Sequence, residues 1–406
     1  MGRFFKDELF DAQFLRALGH AYYGGADVGE CLALAQRLGT GDPERWYAQW
    51  HQLAQRTYDL GQASFVAGQR VSAREAFLRA SNYFRAAYTF LFQTPLDPRV
   101  IAAYDRQAEA FARAMTLMDH PAERVTIPFE DHALHALFLR PDAAEAPRPT
   151  LIVTGGYDGP AEENYFMSGR AALERGYNVL LYDGPGQGHA LFKDGLTLRP
   201  DWEAVLKPVV DFALAQPGVD PNALVLLGVS LGGYLAPRAA SAEPRLAALV
   251  ADPGQFSVLD EARARLPPWM GRQLPDGNRL VLGLLGRVLD KRVPHVSRGW
   301  ALRRGLLVNG CATALEFLKS TAAYSNEGRA EDIACPTMVC SADADAIGTS
   351  ARRLFDALTC EKRFQPFSAA DGAGGHCEAG ARSMFNREMF DWLDTILSRA
   401  AHSVAH

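Results

Sequence analysis

No stretch of the sequence approaches the roughly 20 consecutive apolar residues that a bilayer-spanning helix needs, so no membrane partner is expected. Residues Met1 to Asp11 mix charged and aromatic side chains and lack the apolar core and cleavage site of a secretion signal. A cytoplasmic location is expected. The six cysteines (Cys31, Cys311, Cys335, Cys340, Cys360 and Cys377) include no C-x-x-C pair and no finger-like spacing, which argues against zinc and for reduced thiols. Basic residues are not in excess either: 42 Lys and Arg face 47 Asp and Glu, for a net charge of -5. With both signs interspersed, no basic face or tail is available to neutralise phosphates, which excludes nucleic acid as a partner. Internal repeats and low-complexity tracts are also missing, which removes solenoids and disordered linkers.

What is present suits a soluble globular chain of more than one unit. It has 406 residues, of which 48% are hydrophobic and 22% charged, enough for a large core plus an additional domain. From Asp7 to about Met118 the pattern is helical, as in Ser72-Ala73-Arg74-Glu75-Ala76-Phe77-Leu78, and it breaks near Pro95 and Pro98. After Pro121 short β-branched runs alternate with glycine turns and helices, the pattern of a mostly parallel sheet covered on both faces. Eight strands are predicted: 124–129, 133–140, 150–154, 178–182, 223–227, 247–251, 337–340 and 363–367. Helices are predicted at 161–175, 202–215, 231–242, 351–358 and 384–398. Between Gln255 and Arg329 the strand pattern stops and helical segments such as 280–289 and 312–324 take over, as expected of a cap over a site. The predicted domains are therefore a helical domain (1–120), a first core part (121–254), a helical cap insertion (255–330) and a second core part (331–406).

The chemistry is concentrated at the ends of predicted strands. Gly228-Val229-Ser230-Leu231-Gly232 is a G-x-S-x-G between an apolar strand and a helix, the pattern of a strained turn that exposes a serine hydroxyl as nucleophile. Such a serine needs a base, and the base needs an orienting acid, in the chain order Ser, acid, His. The strand at 337–340 opens into a loop carrying Asp343 and Asp345. Asp345 is the preferred acid because it ends the usual strand-then-G-x-x-D pattern, with Ala342 at the glycine position; Asp343 reads as a turn residue. The base is predicted to be His376, in the glycine-rich loop Asp371-Gly372-Ala373-Gly374-Gly375-His376-Cys377 after the last strand. His189 follows an earlier strand and reads as a lining or surface residue, and Cys377 as a small buried hydrophobe. Two backbone donors should meet the developing oxyanion: the amide of Leu231 and that of Tyr157 in Gly155-Gly156-Tyr157-Asp158-Gly159, with Gly156 as the fallback. The loop Asp183-Gly184-Pro185-Gly186-Gln187-Gly188 lacks the third glycine of a dinucleotide fingerprint and reads as a tight turn.

With these residues in place the chain resembles the α/β-hydrolases that carry an N-terminal helical domain. That subgroup includes 2,6-dihydroxypseudooxynicotine hydrolase, fungal polyketide-shortening hydrolases and FrsA-like proteins. The resemblance is carried by Ser81-Asn82-Tyr83-Phe84-Arg85, Gly155-Gly156-Tyr157-Asp158-Gly159, Tyr182-Asp183-Gly184-Pro185-Gly186-Gln187-Gly188, the Ser230 turn and Gly374-Gly375-His376-Cys377. It implies an α/β-hydrolase fold with a mostly parallel eight-stranded sheet, and a cofactor-free cytoplasmic homodimer acting on a small molecule. The cleavage it implies is of a carbon–carbon bond next to a carbonyl, in a ketone or β-dicarbonyl of polyketide or aromatic type. Carboxylester or lactone hydrolysis and acyl transfer are the alternatives. It also implies an extra acidic residue near the serine, for which Asp252, Asp260 and Glu261 are available. Asn82, Tyr83 and Arg85 are expected as polar tips lining the pocket from the helical domain, along with Asp252 and Glu261. A helical interaction module on an inactive hydrolase is the rival of another class, and the filled Ser230, Asp345 and His376 positions speak against it.

Overall fold

The computed structural model describes residues 4–39 and 41–404, with side chains through 399. The outer limits of the expected domains, residues 1–3 and 405–406, lie outside the described residues. Five helices precede the first strand: Glu8–Gly19, Val28–Leu38, Pro43–Val66, Arg70–Ala87 and Pro98–Met115. Asp7, Asp27, Asp42 and Asp97 each accept amide hydrogens at the N-terminus of one of these helices, and Pro43 and Pro98 occupy first-turn positions that need no amide hydrogen. Their inward faces bury Phe10, Phe14, Trp46, Trp50, Phe77, Tyr83 and Phe84.

The sheet contains β1 (Ala122–Phe129), β2 (His132–Leu139), β3 (Arg148–Thr154), β4 (Asn178–Tyr182), β5 (Val219–Val229), β6 (Ala248–Asp252), β7 (Thr337–Ala342) and β8 (Lys362–Phe367). Their spatial order is β1-β2-β4-β3-β5-β6-β7-β8. Only the β1–β2 and β2–β4 pairings are antiparallel. Every predicted strand is present. The largest difference is at β5, which begins earlier than expected because Val219 pairs with Arg148 across the polar stretch Asp220-Pro221-Asn222. The central strands β3, β5 and β6 are apolar on both faces, as a sheet covered by helices on each side requires.

Two predicted helices differ in form. The segment expected as one helix over 161–175 contains a π turn, Tyr165–Gly169. There the Met167 carbonyl accepts from Asn386 Nδ2 (3.0 Å) and Arg382 Nε (3.3 Å) of the C-terminal helix Arg382–Val404. Side chains thus satisfy a group that the helical ladder would otherwise hold. The segment expected as a helix over 312–324 is α-helical only from Ala314 to Ser320, followed by a 3₁₀ turn.

Between β6 and β7 lie the helices Val258–Ala264, Pro268–Gly271, Arg279–Asp290, Val296–Asn309 and Ala314–Ser320. They share a small core of their own, built on Leu259, Leu274, Leu282, Leu285, Leu289 and Leu318. Trp300 reaches from this insertion to the N-terminal helices, donating its indole hydrogen to the Thr89 carbonyl at 2.8 Å. Helical region and insertion therefore meet each other over the carboxyl ends of the strands. Among the described residues no helix is long and apolar enough to cross a membrane.

Candidate active site

Ser230 follows the last residue of β5 and has φ of 60°, a left-handed conformation that costs a non-glycine residue about 1–2 kcal/mol. The flanking glycines make that turn possible. A Cβ on Gly228 would lie 2.1 Å from the Gly232 carbonyl oxygen, and one on Gly232 would lie 2.3 Å from the Thr154 oxygen. Ser230 is held on both sides: its amide donates to the Asp252 carbonyl at 2.7 Å, and its carbonyl accepts from Gln255 Nε2 at 2.7 Å. The strain is thus over-determined by the surrounding backbone, as a serine presented at the end of a strand requires.

The loops after β7 and β8 bring two more predicted residues to this point. Asp345, its side chain 3% exposed, places Oδ2 2.7 Å from His376 Nδ1, and His376 Nε2 lies 2.8 Å from Ser230 Oγ. A carboxylate only accepts, so Nδ1 carries the imidazole hydrogen and Nε2 is left free to accept from the serine hydroxyl. Asp345 Oδ1 accepts the Ile347 amide at 2.9 Å, which fixes the carboxylate in its turn. Asp343 is exposed and faces away, accepting the Ala369 amide at 2.9 Å. It braces the histidine loop and does not touch the imidazole.

Behind His376 the chain turns sharply, with Cys377 at φ 48° and Glu378 at φ 46°. Cys377 is buried, and burial pushes its thiol well above the usual range, so it stays protonated beside the imidazole. Asp252 was expected near the pocket; instead it lies under it, where Arg382 Nη1 binds both Asp252 Oδ2 (2.9 Å) and Glu378 Oε2 (3.2 Å). Two carboxyl groups buried around one guanidinium cannot both ionise freely, and burial raises both, Glu378 the more strongly.

A cavity of about 240 Å³ opens over Ser230. Its wall includes Leu231 and Tyr157, the two residues predicted to supply oxyanion donors. Among the described residues neither of these amides is taken by a protein acceptor. A Cβ on Gly156 would sit 2.7 Å from Ser230 Cβ, 2.9 Å from Oγ and 3.0 Å from the Leu231 nitrogen. Glycine there keeps open the space in front of the hydroxyl. Glu261 also lines the cavity; its carboxylate accepts from the Ser350 hydroxyl at 2.8 Å, and burial raises its pKa. Asp260, the neighbouring carboxylate, points outward to Arg263 and Arg353.

Asn82, Tyr83 and Arg85 are not among the cavity-lining residues, which corrects the expectation that they line it. All three are buried by partners of their own. Asn82 Nδ2 donates to the carbonyls of Ala17 and Gly25, and Tyr83 joins Glu30 and the Asp27 amide. Arg85 faces Glu163, which also binds Arg16 and His20.

Sequence reasoning missed Asp158 and its partners. This buried carboxylate follows Tyr157 and binds Arg304 of the insertion at 2.7 Å and Arg16 of the first helix at 3.3 Å. The motif Gly155-Gly156-Tyr157-Asp158-Gly159 contained the acid, but nothing local marked its distant cations. Gln187 was also overlooked: its Nε2 donates to the Gly155 carbonyl at 2.7 Å and ties the Gly184–Gly188 turn to the same loop. His189 stacks on His135 with ring centres 3.6 Å apart, away from the cavity. With Asp194 these two could present three ligand atoms to a cation, all within 4.8 Å of one another.

Residues 151–382 match the model of the alpha/beta hydrolase family. The chain is 37% identical to the hydrolase acrC of Aspergillus aculeatus over 97% of its own length and 98% of that protein's. It is 34% identical to 20-hydroxy-prefusarin hydrolase FUS2 of Gibberella moniliformis, over 97% and 98% of the two chains. Among solved structures, 2,6-dihydroxy-pseudo-oxynicotine hydrolase superposes with a TM-score of 0.74 at 24% identity, covering 93% of this chain and 95% of that one. These matches run through the helical region as well as the sheet, and they bear out the resemblance read from the motifs. The chain belongs to the alpha/beta hydrolase family.

Proposed function

We propose that Ser230, His376 and Asp345 form the catalytic triad of a cofactor-free hydrolase, and that the bond it cleaves is a carbon–carbon bond next to a carbonyl. The reading is carried by the line of two short hydrogen bonds, Asp345 to His376 and His376 to Ser230, whose serine end opens into the cavity. Ser230 Oγ attacks the carbonyl carbon while its proton passes to His376 Nε2, and Asp345 stabilises the imidazolium. The amides of Leu231 and Tyr157 receive the oxyanion. Collapse of that intermediate expels a carbanion and leaves an acyl-serine. Water, deprotonated by His376, then releases the acid.

Glu261 supports this reaction over ester hydrolysis. An alkoxide leaving group can take its proton from the imidazolium, whereas a carbanion is better served by an acid placed along the cavity wall. Glu261 lines the cavity and burial raises its pKa, which makes it the wall residue best suited to give a proton to the carbanion and regain one from His376 through solvent. A relative whose name makes it a hydrolase of 20-hydroxy-prefusarin supports a small-molecule substrate.

A fluorophosphonate probe and two substrates, an aryl β-diketone and an aryl ester, test the reading together. The probe should label wild-type protein and not Ser230→Ala, which should also lose both activities. Glu261→Gln should lower diketone cleavage by about 10²-fold, the scale of one acid–base residue, and leave ester hydrolysis within a few-fold. Wild-type rates in Ser230→Ala would overturn the triad. Equal losses on both substrates in Glu261→Gln would overturn the carbon–carbon assignment.

A further inference from the structure

The insertion between β6 and β7 has a charge that the whole chain does not. Residues 255–330 carry twelve Lys and Arg against six Asp and Glu, in a chain whose net charge is -5. Arg265, Arg292 and Arg298 from this segment line the same cavity as Ser230, between apolar walls that include Leu266, Leu289, Leu302 and Phe317. The three differ from Arg304, the fourth cavity arginine, which is committed to Asp158. Arg265 has only the Ala346 carbonyl, at 3.0 Å, as a hydrogen-bond partner. The side chains of Arg292 and Arg298, both exposed, make no hydrogen bond or ion pair among the described residues.

Guanidinium groups lining one opening repel one another, and the single carboxylate on that wall, Glu261, offsets them only in part. An anionic ligand removes that repulsion and matches the planar donor fork of arginine, which binds carboxylate and phosphate bidentately. The apolar wall below selects the remainder of the same molecule.

We propose that the substrate is an amphiphilic anion, its apolar body in the Ser230 cavity and its carboxylate or phosphate end held by Arg292 and Arg298 with Arg265 beside them. The proposal rests on the hydrolase reading for which end of the molecule reacts, but not for the binding itself. In this geometry the two arginines set substrate affinity, while the carbonyl carbon is delivered to Ser230 at the cavity floor.

The test is calorimetric binding of octanoate, octanamide and octyl phosphate to the full chain, with protection of Ser230 from the fluorophosphonate probe as a second readout. Octanoate should bind at least about tenfold more tightly than octanamide, the effect of one charge-assisted hydrogen-bonded pair, and should slow labelling. The double variant Arg292→Gln/Arg298→Gln should lose that preference, while Arg272→Gln, outside the cavity, should keep it. The order of octanoate and octyl phosphate tells which anion the mouth is built for. Equal affinity for octanoate and octanamide, no octanoate binding at millimolar concentration, or a preference that survives in the double variant would each overturn the proposal. Failure of the probe to label Ser230 would sink the hydrolase reading instead, leaving the binding difference intact.

Discussion

Replacing Asp158 by Asn should slow the chemical step without weakening substrate binding. The carboxylate is 8% exposed and lies between Arg304 of the insertion and Arg16 of the first helix, one residue beyond the proposed oxyanion donor Tyr157. Burial alone would raise its pKa, but the two guanidinium groups overcome this and hold it down from the usual 3.8 to about 2. A drop of that size corresponds to about 2.5 kcal/mol of net stabilisation of the folded state. Arg16 keeps Glu163 and Arg304 keeps its stacking on Trp300, so neither cation is stranded by the substitution. Asp158→Asn should therefore cost about 2–3 kcal/mol, at the low end for a broken buried pair. Because the folded-state pKa is depressed, the stabilisation is fully present above pH 3.8 and is lost as the pH falls towards 2. The gap between wild type and variant in urea unfolding should be constant from about pH 5 to 8 and close in strong acid. Kinetically, a displaced Tyr157 amide should lower kcat about 10- to 100-fold with KM nearly unchanged, because an oxyanion donor acts only as charge develops. A kcat within twofold of wild type would show that Asp158 does not position the loop. A stability change below about 1 kcal/mol would show that the two ion pairs contribute little net energy.

Three further substitutions separate neighbouring roles. Asp345→Asn should lower turnover by about 10³- to 10⁴-fold through loss of the Nδ1–H tautomer, whereas Asp343→Asn should have a minor effect, because Asp343 meets only the Ala369 amide; kcat measurements with the reverse order would show the wrong acid was chosen. Gly156→Ala should fold normally by circular dichroism and thermal unfolding yet lose at least about 10²-fold in kcat, since its methyl group would crowd Ser230 Oγ and the Leu231 amide; retention of full activity would move the oxyanion site elsewhere.

The parts of the site that were legible beforehand are those written in a few consecutive residues. Ser230 announced itself through Gly228 and Gly232, glycines whose replacement would drive a Cβ into backbone oxygens of the next turn and of β3. His376 and Asp345 stood in loops immediately after strands, and strand periodicity located those ends to within a few residues. The choice of Asp345 over Asp343 was also local, a matter of position after β7. By contrast, Asn82, Tyr83 and Arg85 formed a recognisable motif whose partners did not. The helix that carries them was legible, but what its buried polar side chains meet depended on Ala17, Gly25, Glu30 and Glu163.

What the sequence by itself determined is the set of strands, the tight turn at Ser230 and the chain order of Ser230, Asp345 and His376 at strand ends, because each follows from short-range sterics and the period of apolar residues. Only the tertiary structure decided which charges meet. Arg16 and Arg304 stand on either side of Asp158 although they lie at distant points in the chain, and Arg292 and Arg298 reach the wall over Ser230 from an insertion with a core of its own. Long charged side chains carry no periodicity that names their partner. Their pairing is settled by how the helical region and the insertion pack over the carboxyl ends of the strands, where burial makes an unmatched charge such as Asp158 costly, while Arg292 and Arg298 stay exposed at the cavity.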